Sequence, residues 1–488
     1  MKQVPVNQTE ITLLLDDPSV PLYVQLYRYM KQQISAGLWL HPSRLPSVRR
    51  LAEMLDISTT PIEMAYQQLL AEGFIASKPR SGYFVQWLAD TPFALPMESA
   101  SPKGPMLKRH HYFKYDFHIS KNEYEYFPMT EWRKAYSRCL QENSTAEMLF
   151  YGDPQGEEGL RCQIANYAKS FRGVSCTPEQ VIIGSDPFPL LDLISRLLLP
   201  YGKSIAVEDP CYPQQPEVFR QKGYDVIPIP VLEDGISQLE LQSCGASFVT
   251  VSPSHQFPTG VIMPISRRLA LLQWAQETGG FIIEDDADGE FRYYGRPIPS
   301  LQGLLPDSRV IYLGGFSQVL SPALGVQYMI LPMVLLPDYH RLKFQLFLDC
   351  TASKLNQMTL ERFMQDGYVE RHLRKMRMIL RRKHDRLISS IQRHFGEHAQ
   401  MSGTGSGFHL MLHLNHPLSE EELQTLAEKR GIRVSSAAYT RMLPANEPSG
   451  SDRKAFILGF GGLKEDEIEA GIQLLADCWL GAIPLSMS

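Results

Sequence analysis

Phe281-Ile282-Ile283-Glu284-Asp285-Asp286-Ala287-Asp288-Gly289-Glu290-Phe291 passes from an apolar, β-branched run into a cluster of carboxylates. Such a run reads as a strand, here residues 281–284, and six more of the kind stand at 180–183, 204–207, 226–229, 247–251, 310–313 and 328–331. Because helical stretches separate them, they predict a mainly parallel seven-stranded sheet covered by helices on both faces. A basic helical stretch over 361–393 leads into a smaller α/β domain at 401–488, so the large domain takes 116–400. Before it, residues 89–115 hold Pro92, Pro96, Pro102 and Pro105 among serines and cations, the composition of a semi-rigid linker.

The first 88 residues read differently. Leu22, Leu26, Met30 and Ile34 recur at the spacing of one helical face, and Gly37 is a natural stop. Ser47 offers a cap to a second helix carrying Arg49 and Arg50, and Thr60-Pro61-Ile62-Glu63 reads as a capping box opening a third. Ile62, Ala65, Tyr66, Leu69 and Leu70 form the apolar face of that third helix. Two short strands then flank Lys78-Pro79-Arg80-Ser81-Gly82. Three helices and a basic hairpin in this order predict a winged helix-turn-helix that reads duplex DNA.

Composition narrows the function class. With 488 residues, 44% hydrophobic and 21% charged, the chain has the balance of a soluble protein of two or three domains. Its net charge of -5 excludes a protein coated in basic charge, and the first 88 residues carry eight Lys and Arg against seven acids. DNA contact must therefore come from a local patch. The seven cysteines are scattered without the close pairs that zinc or a redox motif needs, which predicts free thiols in a reducing cytoplasm. No secretory pattern and no bilayer-length apolar run are present, so a cytoplasmic protein without membrane contact is expected.

Two sets of motifs carry a family resemblance. Leu45-Pro46-Ser47-Val48-Arg49-Arg50-Leu51-Ala52 and Ala65-Tyr66-Gln67-Gln68-Leu69-Leu70-Ala71-Glu72-Gly73 resemble the GntR signature. Tyr151-Gly152-Asp153-Pro154-Gln155-Gly156, Glu208-Asp209-Pro210-Cys211-Tyr212, Pro253-Ser254-His255-Gln256-Phe257-Pro258-Thr259-Gly260 and the 284–291 segment look like blocks of the MocR subfamily, in which a GntR reader is fused to a domain shaped like an aminotransferase. The resemblance implies a pyridoxal phosphate-dependent transferase fold in the body, a head-to-tail homodimer, and a double-stranded DNA operator as partner. It also implies a DNA-facing set of Arg44, Arg49, Arg50, Ser58, Thr59, Thr60, Lys78, Arg80 and Gly82. Arg49 would meet phosphate or base, Ser58 and Thr60 the backbone, and Gly82 would let the wing come close. Where the family has arginine and threonine, this chain has Thr59 and Pro61.

The family's cofactor positions have changed together. In Tyr312-Leu313-Gly314-Gly315-Phe316-Ser317-Gln318 the resemblance places the Schiff-base lysine at Gln318, whose amide has no basic lone pair. No lysine lies between Lys222 and Lys343 to replace it. The family's phosphate-binding turn reads Ser185-Asp186-Pro187-Phe188-Pro189, where Asp186 adds negative charge and each proline deletes an N–H donor. The phosphate-binding arginine falls on Gly325, the ring phenol on Ala287 and the substrate-carboxylate arginine on Ile457. Asp285 and Tyr212 keep the positions of pyridinium partner and stacking ring. His255 and Gln256 are either pocket groups or partners of strand-end backbone. These changes predict a regulator without catalytic residues, metal or pyridoxal phosphate, whose pocket around Tyr212, His255, Asp285, Ala287, Gln318 and Gly325 is open to a small-molecule effector. The alternative is a regulator or aminotransferase that still holds pyridoxal phosphate.

Overall fold

The computed structural model describes residues 19–86, 113–122, 124–295, 297–305, 308–346, 350–443 and 453–482. The prolines of the 89–115 linker lie outside the described residues. The chain divides into two compact units, Met1–His110 and His111–Ser488.

In the first unit, α1 (Leu22–Ser35), α2 (Val48–Leu55) and α3 (Thr59–Ala71) precede a hairpin of β1 (Ile75–Lys78) and β2 (Gly82–Val85). Ser47 caps α2, its side chain accepting from the Arg50 N–H at 3.3 Å. The capping box expected at Thr60 does not form: α3 begins two residues earlier, behind Ser58, and no side chain caps it. Pro61 is then the third helical residue, still within the first turn, where a missing N–H breaks no helical bond. Leu26, Met30, Ile34, Leu51, Ile62, Ala65, Tyr66 and Leu69 close one core, while Leu70 is 40% exposed and lies outside it. The Tyr66 hydroxyl donates to the Pro46 carbonyl at 2.8 Å, and Lys31 pairs with Glu72 at 2.7 Å, tying α1 and the α2 approach to α3. Gly82, at φ +96°, takes a backbone conformation that a side chain would strain, and so lets the hairpin turn.

Among the described residues the large sheet of the body has eight strands rather than seven. Across the sheet they run Val181–Gly184, Gln327–Ile330, Val310–Gly315, Phe281–Asp285, Phe248–Val251, Ser204–Asp209, Asp225–Leu232 and Gly235–Ile236. The last is a two-residue strand with too little apolar run to be read from sequence. The central pairs are parallel, whereas Gln327–Ile330 runs antiparallel to both its neighbours. The basic stretch 361–393 is two helices, Lys354–Gln365 and Tyr368–Phe395, broken at Gly367 with φ +70°. Arg382, Arg386 and Arg393 of the second pair with Glu465 and Glu469 on the last helix. The smaller domain's sheet orders Ala399–Ser402, His409–Asn415, Arg453–Gly459 and Ser435–Ser436. Tyr115–Asp116 pairs in parallel with Ile432–Arg433, so the first strand after the linker is built into that smaller domain.

A buried ion pair fixes the strand ends. Arg172 donates to both Asp286 oxygens at 2.6 and 3.1 Å, to the Gly289 carbonyl at 2.8 Å and to Ser254 Oγ at 2.8 Å. The Tyr312 hydroxyl donates to the same carboxylate at 2.7 Å. Removing one partner strands a buried charge, so Arg172→Ala is expected to lower stability by about 3–5 kcal/mol, read as a shift of the body's denaturant midpoint. A shift within the scatter of surface substitutions would mean that the pair does not hold these strands.

Candidate functional site

Polar residues gather where the parallel strands end, the place where ligands bind in open α/β sheets. Glu208 and Asp209 close one strand, and Glu284 and Asp285 close another. Asp209 is taken up structurally, accepting from the Met442 and Leu443 N–H groups at 2.7 and 2.9 Å. Glu284 likewise accepts from the N–H groups of Leu301 and Gln302 at 2.7 and 2.9 Å.

Asp285 and Glu208 are different. Asp285 accepts no hydrogen bond among the described residues, and burial, with Asp286 and Asp288 nearby, raises its carboxyl to about 7. Glu208 is buried, and one oxygen accepts from the Ser252 N–H at 3.1 Å while Oε1 has no partner. Burial, with Asp285 adding repulsion, raises it to about 8 despite its hydrogen bonds. The sequence reading missed Glu208; its position at the end of a buried run, beside the noted Tyr212 motif, was the available signal.

The remaining expected residues separate into those the fold engages and those it leaves open. Gln256 serves both backbone and site: its amide donates to the Pro210 carbonyl at 2.7 Å and to Glu208 Oε2 at 3.4 Å, and its oxygen accepts from Thr259 Oγ1 at 2.6 Å. His255 is half engaged, with Nδ1 2.9 Å from Asp288 Oδ2 and Nε2 buried without a partner. The Tyr212 ring is 42% exposed, nearly parallel to Phe188 at 6.5 Å and edge-on to Phe257 at 5.9 Å. Gln318 is half-buried in the turn after Val310–Gly315, and Ala287 is exposed. Among the described residues no group of His, Cys, Asp and Glu is arranged to hold a metal ion.

The turn expected to receive a phosphate opens the helix Pro187–Leu198, and the Ser185 and Phe188 N–H groups are already committed. Asp186 caps the helix, Oδ1 accepting from the Phe188 N–H at 3.1 Å. Pro187 and Pro189, on either side, have no N–H to give. The Ser185 N–H donates to Thr351 Oγ1 at 2.8 Å. Gly325 stands beside this turn, with space for a Cβ 3.6 Å from the Ser185 carbonyl, and supplies no charge. A phosphate dianion needs free N–H donors and a cation. The residues present do not fit it, and Gln318 offers no amine to its aldehyde.

The DNA-facing set occupies the winged unit. Arg49 and Arg50 are exposed on α2, Ser58 and Thr60 are exposed at the start of α3, and Thr59 is half-buried. Lys78 lies 4.8 Å over the Phe84 ring, Arg80 is exposed at the hairpin tip, and the Arg44 guanidinium lies beside Gly82, where a Cβ would stand 3.6 Å from its Nε.

Two domains of known kind are thus joined in one chain: a helix-turn-helix reader and an aminotransferase-shaped body. The model "Bacterial regulatory proteins, gntR family" matches residues 22–85, and "Aminotransferase class I and II" matches 116–450. The HTH-type transcriptional regulator YdeL of Bacillus subtilis is 41% identical, over 94% of this chain and 97% of its own length. The probable rhizopine catabolism regulatory protein MocR of Rhizobium meliloti is 30% identical, over 97% of this chain and 98% of its own. The α-aminoadipate aminotransferase LysN of Thermus thermophilus, solved with a phosphopyridoxyl-leucine, superposes with a TM-score of 0.65 at 27% identity, covering 75% of this chain and 92% of that one. The chain belongs to the MocR-type transcriptional regulators of the GntR family and binds DNA through its first domain.

The raised Asp285 carboxyl has a measurable consequence. Its folded pKa, about 7, exceeds the ordinary aspartate value, so between those values the folded state binds more protons than the unfolded one. The residue's contribution therefore declines as pH rises through that window. Asp285→Asn is expected to gain stability relative to the parent between pH 5 and pH 8; a difference independent of pH would show that the carboxyl is not so perturbed.

Proposed function

We propose that the aminotransferase-shaped body of this regulator binds no pyridoxal phosphate covalently, catalyses no transamination, and serves as a dimerisation and effector-sensing module in the cytoplasm. The observation that carries the reading is the Asp186 carboxylate capping the helix that would otherwise receive the phosphate. Gln318 in place of an amine and Gly325 in place of a cation act in the same direction. A second copy of the chain, packed head to tail, is supported by the run Leu149-Phe150-Tyr151, which is 75%, 72% and 76% exposed and too apolar to stand comfortably in water.

The effector that suits the strand-end pocket is cationic or neutral and polar. Asp285 adds repulsion to the Glu208 carboxyl there, and among the described residues no cationic side chain offsets either carboxyl. A bound ammonium group would supply the missing charge. Two measurements test the reading. Purified protein mixed with pyridoxal phosphate should show no new visible absorption and no borohydride-trapped adduct; a yellow, reducible protein would overturn the loss of the cofactor. In a thermal-shift series, small amines should stabilise the body while matched carboxylates do not. Equal effects of both would remove the basis for a cationic effector.

A further inference from the structure

The recognition helix carries an unusual set of readers. The sequence of α3, Thr59-Thr60-Pro61-Ile62-Glu63-Met64-Ala65-Tyr66-Gln67-Gln68-Leu69-Leu70-Ala71, contains no lysine or arginine. Ile62, Ala65, Tyr66 and Leu69 are buried in the domain core. Thr60, Glu63, Met64 and Gln67 are exposed at the i, i+3, i+4, i+7 spacing of a single helical stripe. Glu63 makes no hydrogen bond or ion pair among the described residues, whereas the neighbouring exposed Gln68 is taken up by Glu72 at 2.6 Å. Glu72 is in turn bound by Lys31 and Tyr27, which leaves Glu63 the free carboxylate of α3 and its cap. Among the described residues the exposed cations of the unit, Arg28, Arg44, Arg49, Arg50, Lys78 and Arg80, all lie off this helix, on α1, on α2 or around the hairpin.

In the major groove the commonest specific contact is a bidentate arginine or lysine on guanine O6 and N7, which this stripe cannot make. A carboxylate accepts from the cytosine N4 amino group and is repelled by the guanine acceptors. A glutamine pairs with adenine N6 and N7, and an apolar side chain such as Met64 meets the thymine methyl. Cations off the helix can still neutralise phosphate, which positions the domain without reading sequence.

We propose that α3 reads its operator through Glu63 on a cytosine amino group, with Gln67 on an adjacent adenine, so that the half-site is specified by cytosine and adenine on the contacted strand rather than by arginine on guanine. This deepens the DNA-binding role and rests on α3 being the element that enters the groove.

Selection of duplexes from a randomised pool by the full-length chain, followed by titration with single-position variants of the winner, tests it. The parent should demand a C·G pair at one position in each half-site, and Glu63→Ala should lose that preference by about tenfold or more while keeping the others. Glu63→Arg should reverse it toward guanine on the same strand. Arg49→Ala should weaken every duplex alike and make the salt dependence shallower by about one phosphate contact. Identical base preferences for parent and Glu63→Ala would overturn the proposal, as would Glu63→Ala tightening all duplexes equally, the mark of a carboxylate that only repels. If the parent enriches no sequence at all, α3 is not a reading helix, and the DNA-recognition role of this domain falls with the proposal.

Discussion

Where positive charge goes decides what this body can bind. Arg172 is fully buried and given over to Asp286, Gly289 and Ser254, so it holds strand ends together, and its charge also favours the ionised forms of Asp288 and Glu290. Asp285, one residue before Asp286, and Glu208, on another strand of the sheet, gain nothing from it. At the phosphate turn the helix end faces Asp186, which takes the place an anion would fill. The transferase scaffold is kept, and on the reading proposed above its strand and helix ends favour cations over anions.

On that proposal, architecture separates from chemistry. LysN and this chain share a fold over most of the body, and LysN was solved with a phosphopyridoxyl adduct bound. A shared scaffold places strand ends, helix ends and loops at corresponding points, but function depends on the side chains placed there. A regulator can keep the scaffold as a folded unit while the winged domain makes the contact with DNA.

Much of the fold was legible in the sequence because its signals are local. Seven of the eight strands carry β-branched runs, and α1 and α2 follow from apolar spacing and a serine cap. Gly235–Ile236 escaped because two residues cannot carry a period. The capping box at Thr60 misled because Ser58, two residues earlier, is an equally good entry and lets α3 start sooner. The break at Gly367 was hidden inside a basic run that is helical on both sides. The joining of Tyr115–Asp116 to Ile432–Arg433 spans most of the body, and no local pattern announces such a pairing.

The site was half legible. Residue identities at Gln318, Asp186 and Gly325 could be read directly, but that Asp186 closes on the Phe188 N–H, and that Gly325 comes to lie beside Ser185, needed the fold. Arg172 stands in the last turn of the helix Glu158–Arg172, and nothing nearby in sequence marks its partner at Asp286. The measurement that bears most directly on the central claim is a calorimetric titration of the full-length protein with pyridoxal phosphate and with unphosphorylated pyridoxal, side by side. If the helix end at Asp186 excludes anions, the phosphate adds no affinity and the two titrations match, or the phosphorylated form binds more weakly. Pyridoxal phosphate binding tenfold tighter than pyridoxal would contradict it.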